Sequence, residues 1–210
     1  AYEISACLVG SEMCIRDSSM MTAATGMDAI THCIEAFLAP ASNPPAEGVA
    51  LDGLWRGWRH IQAAVKDGTD REARWQMMMC STEGALAFVK GLGAVHAMSH
   101  AAGRIERLNL HHGTLNAVFL PAVLRFNAPE CGDKYERLLQ AMGLAPGADI
   151  AEAITAMNAD IGLPSGLAAM GVEEDDIPEL IAYAQKDLAA LSNPRRASAD
   201  DFEMMVRQSL

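Results

Sequence analysis

Apolar residues recur every three or four positions along most of this chain, which is the spacing of one face of an α-helix. The first such segment runs from Ala23 to Leu38 and ends just before a proline. A second follows Pro44 and Pro45 and ends near Gly68. A third begins after Asp70, a residue type that commonly caps a helix N-terminus. The pattern therefore predicts three consecutive helices in the first half of the chain.

The third predicted helix carries several large apolar side chains, and we expect them to pack in the core. They are Trp75, Met78, Met79, Leu86 and Val89. Methionine is unbranched and adaptable, so it often fills irregular gaps between packed helices. The run Met77–Met79 is accordingly interpreted as core packing and not as a binding site for a soft metal.

The second half of the chain is also predicted to be helical. A short helix after Gly93 holds His96 and His100, and residues 104–112 are predicted to form a loop. The apolar stretch 114–126 resembles a strand in composition, but Pro121 disfavours a central strand and favours a helix that is kinked or begins again there. Smaller helices are predicted over 134–142, 149–161, 177–191 and 199–208.

Composition supports the same fold class. The 210 residues include 37 alanines but only 20 valines and isoleucines together, and aromatic residues make up 5% of the chain. Alanine favours helices, whereas strands are enriched in β-branched and aromatic residues. The sequence therefore predicts an all-α protein, a multi-helix bundle.

Charge and cysteine content narrow the partners and the compartment. The net charge of −11 disfavours nucleic acid and anionic membranes as partners, because capture of phosphate needs positive charge. No apolar run approaches the roughly 20 residues that cross a bilayer. The five cysteines form no C-x-x-C pair, and no secretory leader is recognisable. We expect a soluble, cytoplasmic protein.

The candidate chemistry lies in a group of histidines. Asp28 and His32 are four residues apart on one predicted helix, and His96 and His100 are four apart on another, so each pair leaves one helix face. His111 and His112 follow at the junction of a loop and a helix. One carboxylate with several imidazoles suits a divalent transition metal, and an open position would make the site catalytic. A pair of surface hydrogen bonds is the alternative that spacing alone leaves open.

Several longer motifs resemble the iron-containing alcohol dehydrogenase family. They are TAATGMDAITHCIEAF at 22–37, GLGAVHAMSHAAG at 91–103, HHGTLNAVFLPAVLRFN at 111–127 and NPR at 193–195. The resemblance implies a two-domain enzyme, with an N-terminal nucleotide-binding domain followed by a helical metal domain. The present chain is similar to the second domain alone.

The resemblance also implies a set of site residues. The implied metal ligands are Asp28, His32, His96 and His112, where His112 is chosen over His111 because it directly precedes a glycine. His100 matches a histidine that lines the site near the cofactor, so a catalytic role in proton transfer is expected. The implied ion is Fe²⁺, with Zn²⁺ as the substitute, and NAD(P) serves the complete enzyme. A small alcohol or aldehyde is the implied substrate, the nucleotide-binding domain is the missing partner, and a homodimer is one assembly that the resemblance allows.

The N-terminal segment departs from the family. Residues 1–19 match none of its motifs, and we expect a non-native or disordered leader followed by the helical metal domain over residues 20–210. The native substrate stays open, as does the choice between NAD and NADP.

Two other functions compete with the dehydrogenase. The first is a metal-dependent hydrolase that would use the same ligands, with Glu35 as its general base. The second is a non-catalytic helical interaction module, whose face toward the absent domain should then be polar.

Overall fold

The computed structural model describes residues 18–210, and all regular structure within that range is helical. The prediction of an all-α protein is confirmed. The α-helices of the described part are α1 (Ser19–Leu38), α2 (Pro44–Lys66), α3 (Arg71–Ala87), α4 (Ala94–Ala102), α5 (His112–Cys131), α6 (Lys134–Met142), α7 (Ile150–Asp160), α8 (Ile177–Ala184) and α9 (Ala199–Gln208). None of these helices is both long and apolar enough to cross a membrane.

Local sequence signals explain where the first helices begin. The Ser18 hydroxyl accepts a hydrogen bond from the Met21 amide at 3.2 Å and so caps α1. The proline pair opens α2 instead of preceding it, since proline has no N–H to satisfy in a first turn. Asp70 caps α3 as predicted, accepting from the Ala73 amide at 3.0 Å. The predicted leader lies outside the described residues, apart from Ser18 and Ser19.

Helix α1 is the central helix, and it packs against α2, α3 and α5. Small residues allow this close packing. A Cβ on Gly57 of α2 would lie 2.8 Å from Ile30 Cγ1 on α1 and 2.6 Å from Cys80 Sγ on α3. Real Cβ atoms do not approach that closely, so the three helices can meet only because position 57 has no side chain. Helix α1 is thereby held in the interior together with the residues that it carries.

The prediction that the large apolar side chains of α3 face the core is wrong. Trp75 is 47% exposed, and Met78 and Leu86 are each 60% exposed. Helix α3 instead turns its small residues inward, and a Cβ on Gly84 would lie 3.0 Å from the Cβ of His32. The narrow gap between α3 and α1 excludes large side chains, so they point outward.

Two elements in the second half also differ from expectation. Helix α5 is continuous over twenty residues although Pro121 and Pro129 lie inside it. The segment predicted as one helix over 177–191 divides into α8 and a 3-10 helix at Leu188–Ser192. Asp187 separates the two, and its side chain accepts from the Ala189 amide at 2.8 Å. This 3-10 helix packs against α4, the helix that carries two of the histidines.

One buried carboxyl group should make stability depend on pH. Glu83 of α3 faces α2, with its Oε1 3.3 Å from Arg56 Nε. Burial raises the pKa of Glu83 to about 7, the nearby Asp52 charge adds to the shift, and Arg56 opposes it. The pKa of Glu83 is higher in the folded state than in the unfolded state. Its contribution to the free energy of unfolding is therefore fully present below about pH 4.5. It is lost as the pH rises through about 7.

Glu83→Gln should therefore raise the free energy of unfolding at pH 8 by about 1–2 kcal/mol, because a neutral amide avoids the cost of a buried charge. The same substitution should have little effect at pH 5, where the wild-type carboxyl group is largely protonated. Urea unfolding of both proteins at the two pH values measures this difference. An equal effect of the substitution at both pH values would contradict the raised pKa of Glu83.

Candidate metal centre

Three helices bring the predicted site residues together. Helix α1 carries Asp28 and His32 one turn apart, and α4 carries His96 and His100 in the same relation. Helix α5 begins with His112 and packs against both α1 and α4. The convergence inferred from helical spacing is therefore present in the fold.

Asp28, His96 and His112 form the core of the site. One ligand atom from each lies within 4.8 Å of the other two. Asp28 Oδ1 is 3.7 Å from His96 Nε2 and 3.7 Å from His112 Nε2. His96 is almost fully buried, whereas Asp28 and His112 are partly exposed, so solvent reaches the group at Asp28 and His112.

Asn116 stands at the point where these three residues converge. Its Nδ2 lies 2.6 Å from Asp28 Oδ1, 3.0 Å from His112 Nε2 and 3.2 Å from His96 Nε2. An amide nitrogen has only two hydrogens to share among these three acceptors. Its Oδ1 is buried without a hydrogen-bond partner. Three electron-pair donors aimed at one point fit a divalent cation, which satisfies all of them at once.

The ring nitrogens that face away from this point have partners of their own. The Nδ1 atom of His96 lies 2.7 Å from Glu35 Oε2, and that of His112 lies 2.8 Å from Ser99 Oγ. The Nδ1 atom of His32 lies 2.8 Å from the Asp28 carbonyl oxygen. Each Nδ1 can donate to its oxygen, which leaves the Nε2 lone pair free to bind a metal.

His32 lies beside the core group. Its ring centroid is 4.4 Å from that of His96, but it is not part of the group of mutually close ligand atoms. A role for His32 as the fourth ligand stays a prediction. His111 precedes the first residue of α5 without making a side-chain capping hydrogen bond, and it is likewise outside the group, with a buried Nδ1 that has no hydrogen-bond partner.

His100 lies at the rim of the site, where its side chain is 46% exposed. Its ring stacks on that of His112, with centroids 5.3 Å apart and planes 13° from parallel. Its Nδ1 is 3.0 Å from Asp187 Oδ2. A cavity of about 430 Å³ adjoins His100 and is lined also by Phe88, Gly91, Leu92, Asp187, Leu188, Ala189 and Ser192. His100 thus lies between this cavity and the core group, which it contacts through His112.

The protonation states of the site residues follow from their burial and from their mutual contacts. Burial lowers the pKa of His112 to about 4, although Asp28 opposes the shift, and burial likewise lowers the pKa of His32. Burial works against the charge of Asp28, but the hydrogen bond with His96 and the nearby imidazoles outweigh it. The pKa of Asp28 therefore stays well below its usual range. Burial also works against the charge of His96, but its hydrogen bonds with Asp28 and Glu35 outweigh this effect and raise the pKa of His96 to about 9. A divalent ion requires an ionised carboxylate and neutral imidazoles, so Asp28, His112 and His32 are in the required states, whereas His96 must release its Nε2 proton when the ion binds.

Sequence reasoning missed Asn116, Ser99 and the role of Glu35. Asn116 follows His112 by four residues, so the helical spacing that identified the histidine pairs would also have indicated it. The sequence carries no signal for Ser99, and only the packing of α4 on α5 places it beside His112 Nδ1. Glu35 was considered only as a general base.

Comparisons with known proteins identify the family of this chain. Residues 22–210 match the model of the Fe-containing alcohol dehydrogenase family, C-terminal part. The chain is 56% identical over 197 residues to the 4-hydroxybutyrate dehydrogenase of Cupriavidus necator, covering 90% of this chain and 52% of that protein. It is 35% identical over 198 residues to the 1,3-propanediol dehydrogenase of Klebsiella pneumoniae, covering 90% and 51%. The chain thus spans about half the length of the curated relatives it matches.

Solved structures give the same result for the fold. The crystal structure of a 1,3-propanediol oxidoreductase matches with a TM-score of 0.88 and 36% identity, covering 93% of this chain and 53% of that one. An alcohol dehydrogenase from Oenococcus oeni matches with a TM-score of 0.86 and 26% identity, covering 93% and 53%. The helical architecture described above is therefore that of one half of such proteins.

Proposed function

This chain belongs to the Fe-containing alcohol dehydrogenase family, and we propose that it forms the metal-binding half of an NAD(P)-dependent alcohol dehydrogenase. The observation that carries the proposal is the convergence of Asp28, His96 and His112 around one point. The missing half of the protein would hold the nicotinamide cofactor. The reaction would interconvert a small alcohol and its aldehyde by hydride transfer.

Asp28, His96 and His112 would hold the ion, with His32 as the fourth ligand. A bound Fe²⁺, or Zn²⁺ in its place, would act as a Lewis acid toward the substrate oxygen. Asp28 contributes the one negative charge of this ligand set. His100 lies at the exposed rim against Asp187, where it could accept the hydroxyl proton of an alcohol and pass it toward solvent.

The surface around the site argues against a non-catalytic interaction module. That alternative requires a polar face toward the absent domain. The rim instead exposes large apolar side chains: Phe88 is 47% exposed, Leu188 is 79% exposed, and Leu191 in the same 3-10 helix is 74% exposed. An apolar rim excludes water from a reacting hydride and suits a second domain that closes over the site.

The position of Glu35 argues against a metal-dependent hydrolase. A general base must reach the water that it activates. Glu35 is 5% exposed, and it contacts His96 on Nδ1, the ring nitrogen opposite the one that faces the cluster. Its oxygens also accept from two backbone amides. Glu35 is therefore not positioned to activate a water on the open side of the site.

The experiment that tests the proposal restores the missing half. Residues 18–210 would be fused to the N-terminal half of the 56% identical relative from Cupriavidus necator, and 4-hydroxybutyrate would be the first substrate assayed. We expect NAD(P)H formation that depends on added Fe²⁺ or Zn²⁺, with no esterase or phosphatase turnover. The 210-residue chain alone should show none, because hydride transfer needs the nicotinamide and substrate carbons held about 3–3.5 Å apart.

A second fusion carrying Asp28→Ala serves as the control, since it removes a ligand and leaves the nucleotide-binding half unchanged. We expect its turnover to fall at least a thousandfold, corresponding to about 4 kcal/mol of lost transition-state stabilisation. Turnover retained by the Asp28→Ala fusion would refute the proposed site. Ester hydrolysis without NAD(P) reduction by the parent fusion would refute the proposed reaction.

A further inference from the structure

Glu35 connects the central helix to the helix that carries His96. Its Oε2 accepts from the Gly93 amide at 3.0 Å, and its Oε1 accepts from the Val95 amide at 2.9 Å. The same Oε2 lies 2.7 Å from His96 Nδ1. One buried carboxylate thus contacts both the backbone at the start of α4 and the imidazole one turn into it.

The space around this carboxylate is closely fitted. A Cβ on Gly93 would lie 2.6 Å from Glu35 Oε1 and 2.8 Å from Asn193 Oδ1, so any larger residue there would displace these oxygens. Asn193 Oδ1 accepts from the Ala94 amide at 3.1 Å, and Asn127 Nδ2 donates to the same oxygen. Glu35 and Asn193 together therefore satisfy the amides of Gly93, Ala94 and Val95 at the start of α4. Only Glu35 also contacts His96.

We propose that Glu35 is a positioning residue of the metal centre, which holds His96 with its Nδ1–H toward the carboxylate and its Nε2 toward the metal. This inference rests on the proposed function. The contact fixes which nitrogen carries the proton, and it prevents the ring from rotating about its Cβ–Cγ bond. Hydrogen bonding to a carboxylate also makes Nε2 a stronger electron-pair donor.

The charge of Glu35 is part of this role. The amide of a glutamine offers one acceptor oxygen and two donor hydrogens, but all three groups around Glu35 are donors. Glutamine would leave at least one backbone amide facing an NH₂ group, and it would weaken the bond to His96. The anion also lies at the N-terminus of α4, where a helix stabilises negative charge.

The test compares Glu35→Gln with Asn193→Ala in the full 210-residue chain. Both variants loosen the start of α4, but only the first alters the contact with His96. We expect Glu35→Gln to weaken Zn²⁺ binding 10- to 100-fold, which is the usual effect of removing the hydrogen-bond partner of a metal-binding histidine. Asn193→Ala should stay within about threefold of wild type. Zn²⁺ affinity is measured by competition with a chelator, and circular dichroism verifies that each variant is folded.

Equal loss of Zn²⁺ affinity in the two variants would overturn the inference, because Glu35 would then act only by bracing the helix. Unchanged affinity in Glu35→Gln would overturn it as well, while leaving the proposed function intact. A wild-type chain that binds no Zn²⁺ would overturn both.

A measurement on the wild-type chain keeps the inference testable if Glu35→Gln does not fold. In the Zn²⁺-loaded protein, ¹⁵N NMR of the histidine rings should show His96 protonated at Nδ1, with a downfield proton that exchanges slowly with solvent. A His96 ring protonated at Nε2 would overturn the proposal.

Discussion

Gly113→Ala should strongly destabilise the fold and disrupt the metal centre. Gly113 follows His112 in the first turn of α5, where α5 meets α1. A Cβ at this position would overlap the Ala24 carbonyl oxygen, lie 2.8 Å from its carbonyl carbon and lie 3.2 Å from Asp28 Cβ. Backbone cannot yield as a flexible side chain can, so α5 would have to move away from α1. We expect a loss of about 3 kcal/mol and a fall in Tm of roughly 10 °C.

The same displacement moves His112 away from Asp28, so Zn²⁺ binding should fall along with stability. Gly48→Ala is the matched control. Gly48 lies in α2, and a Cβ there would meet nothing within 4 Å. Alanine should therefore raise stability by about 0.5–1 kcal/mol through helix propensity, without changing metal binding. Thermal unfolding followed by circular dichroism distinguishes the two variants, and similar Tm values would contradict the close approach of α5 to α1.

Asp28→Asn should remove most of the metal affinity of the chain while leaving the helices in place. The substitution preserves the shape of the side chain, but it removes the one anionic ligand of the cluster. We expect at least a hundredfold weaker Zn²⁺ binding, about 3 kcal/mol. Zn²⁺ is the practical probe, because aerobic handling oxidises Fe²⁺. Metal content after dialysis should be about one ion per chain in the wild type and far less in the variant.

Asp133→Asn provides the control for charge alone. Asp133 is exposed, and its side chain makes no capping hydrogen bond at the start of α6. Its loss should therefore leave Zn²⁺ binding unchanged. The double variant Asp28→Asn/His96→Ala retains every cysteine, so it measures background binding elsewhere in the chain. Stoichiometric Zn²⁺ in that double variant would show that the metal site lies elsewhere.

Helical periodicity was sufficient to predict the fold class and most helix boundaries. Caps such as Asp70 act within a few residues, and local hydrogen bonds of this kind are readable from sequence. The histidine pairs were equally accessible, because residues four apart on a helix share a face in any tertiary context. The family motifs then selected His112 over His111, and His112 is the one that lies close to Asp28 and His96 in the structure.

The tertiary structure alone decided which side of α3 is buried. Hydrophobicity predicted that Trp75 and Met78 face the core, but both are exposed, while Gly84 faces inward. How closely two helices approach depends on the side chains of both partners, and periodicity along one helix contains no information about the other.

The surroundings of the metal site were likewise decided by packing between distant segments. Asn116 reaches Asp28 across 88 residues of sequence, and Glu35 reaches His96 across 61. By its residue types and spacings, the sequence determined an all-helical protein, and its family motifs implied Asp28, His32, His96 and His112 as candidate ligands. Only the packing of α4 and α5 against α1 determined which nitrogen of His96 and His112 faces the common point, because ring orientation depends on partners that are close only in the folded chain.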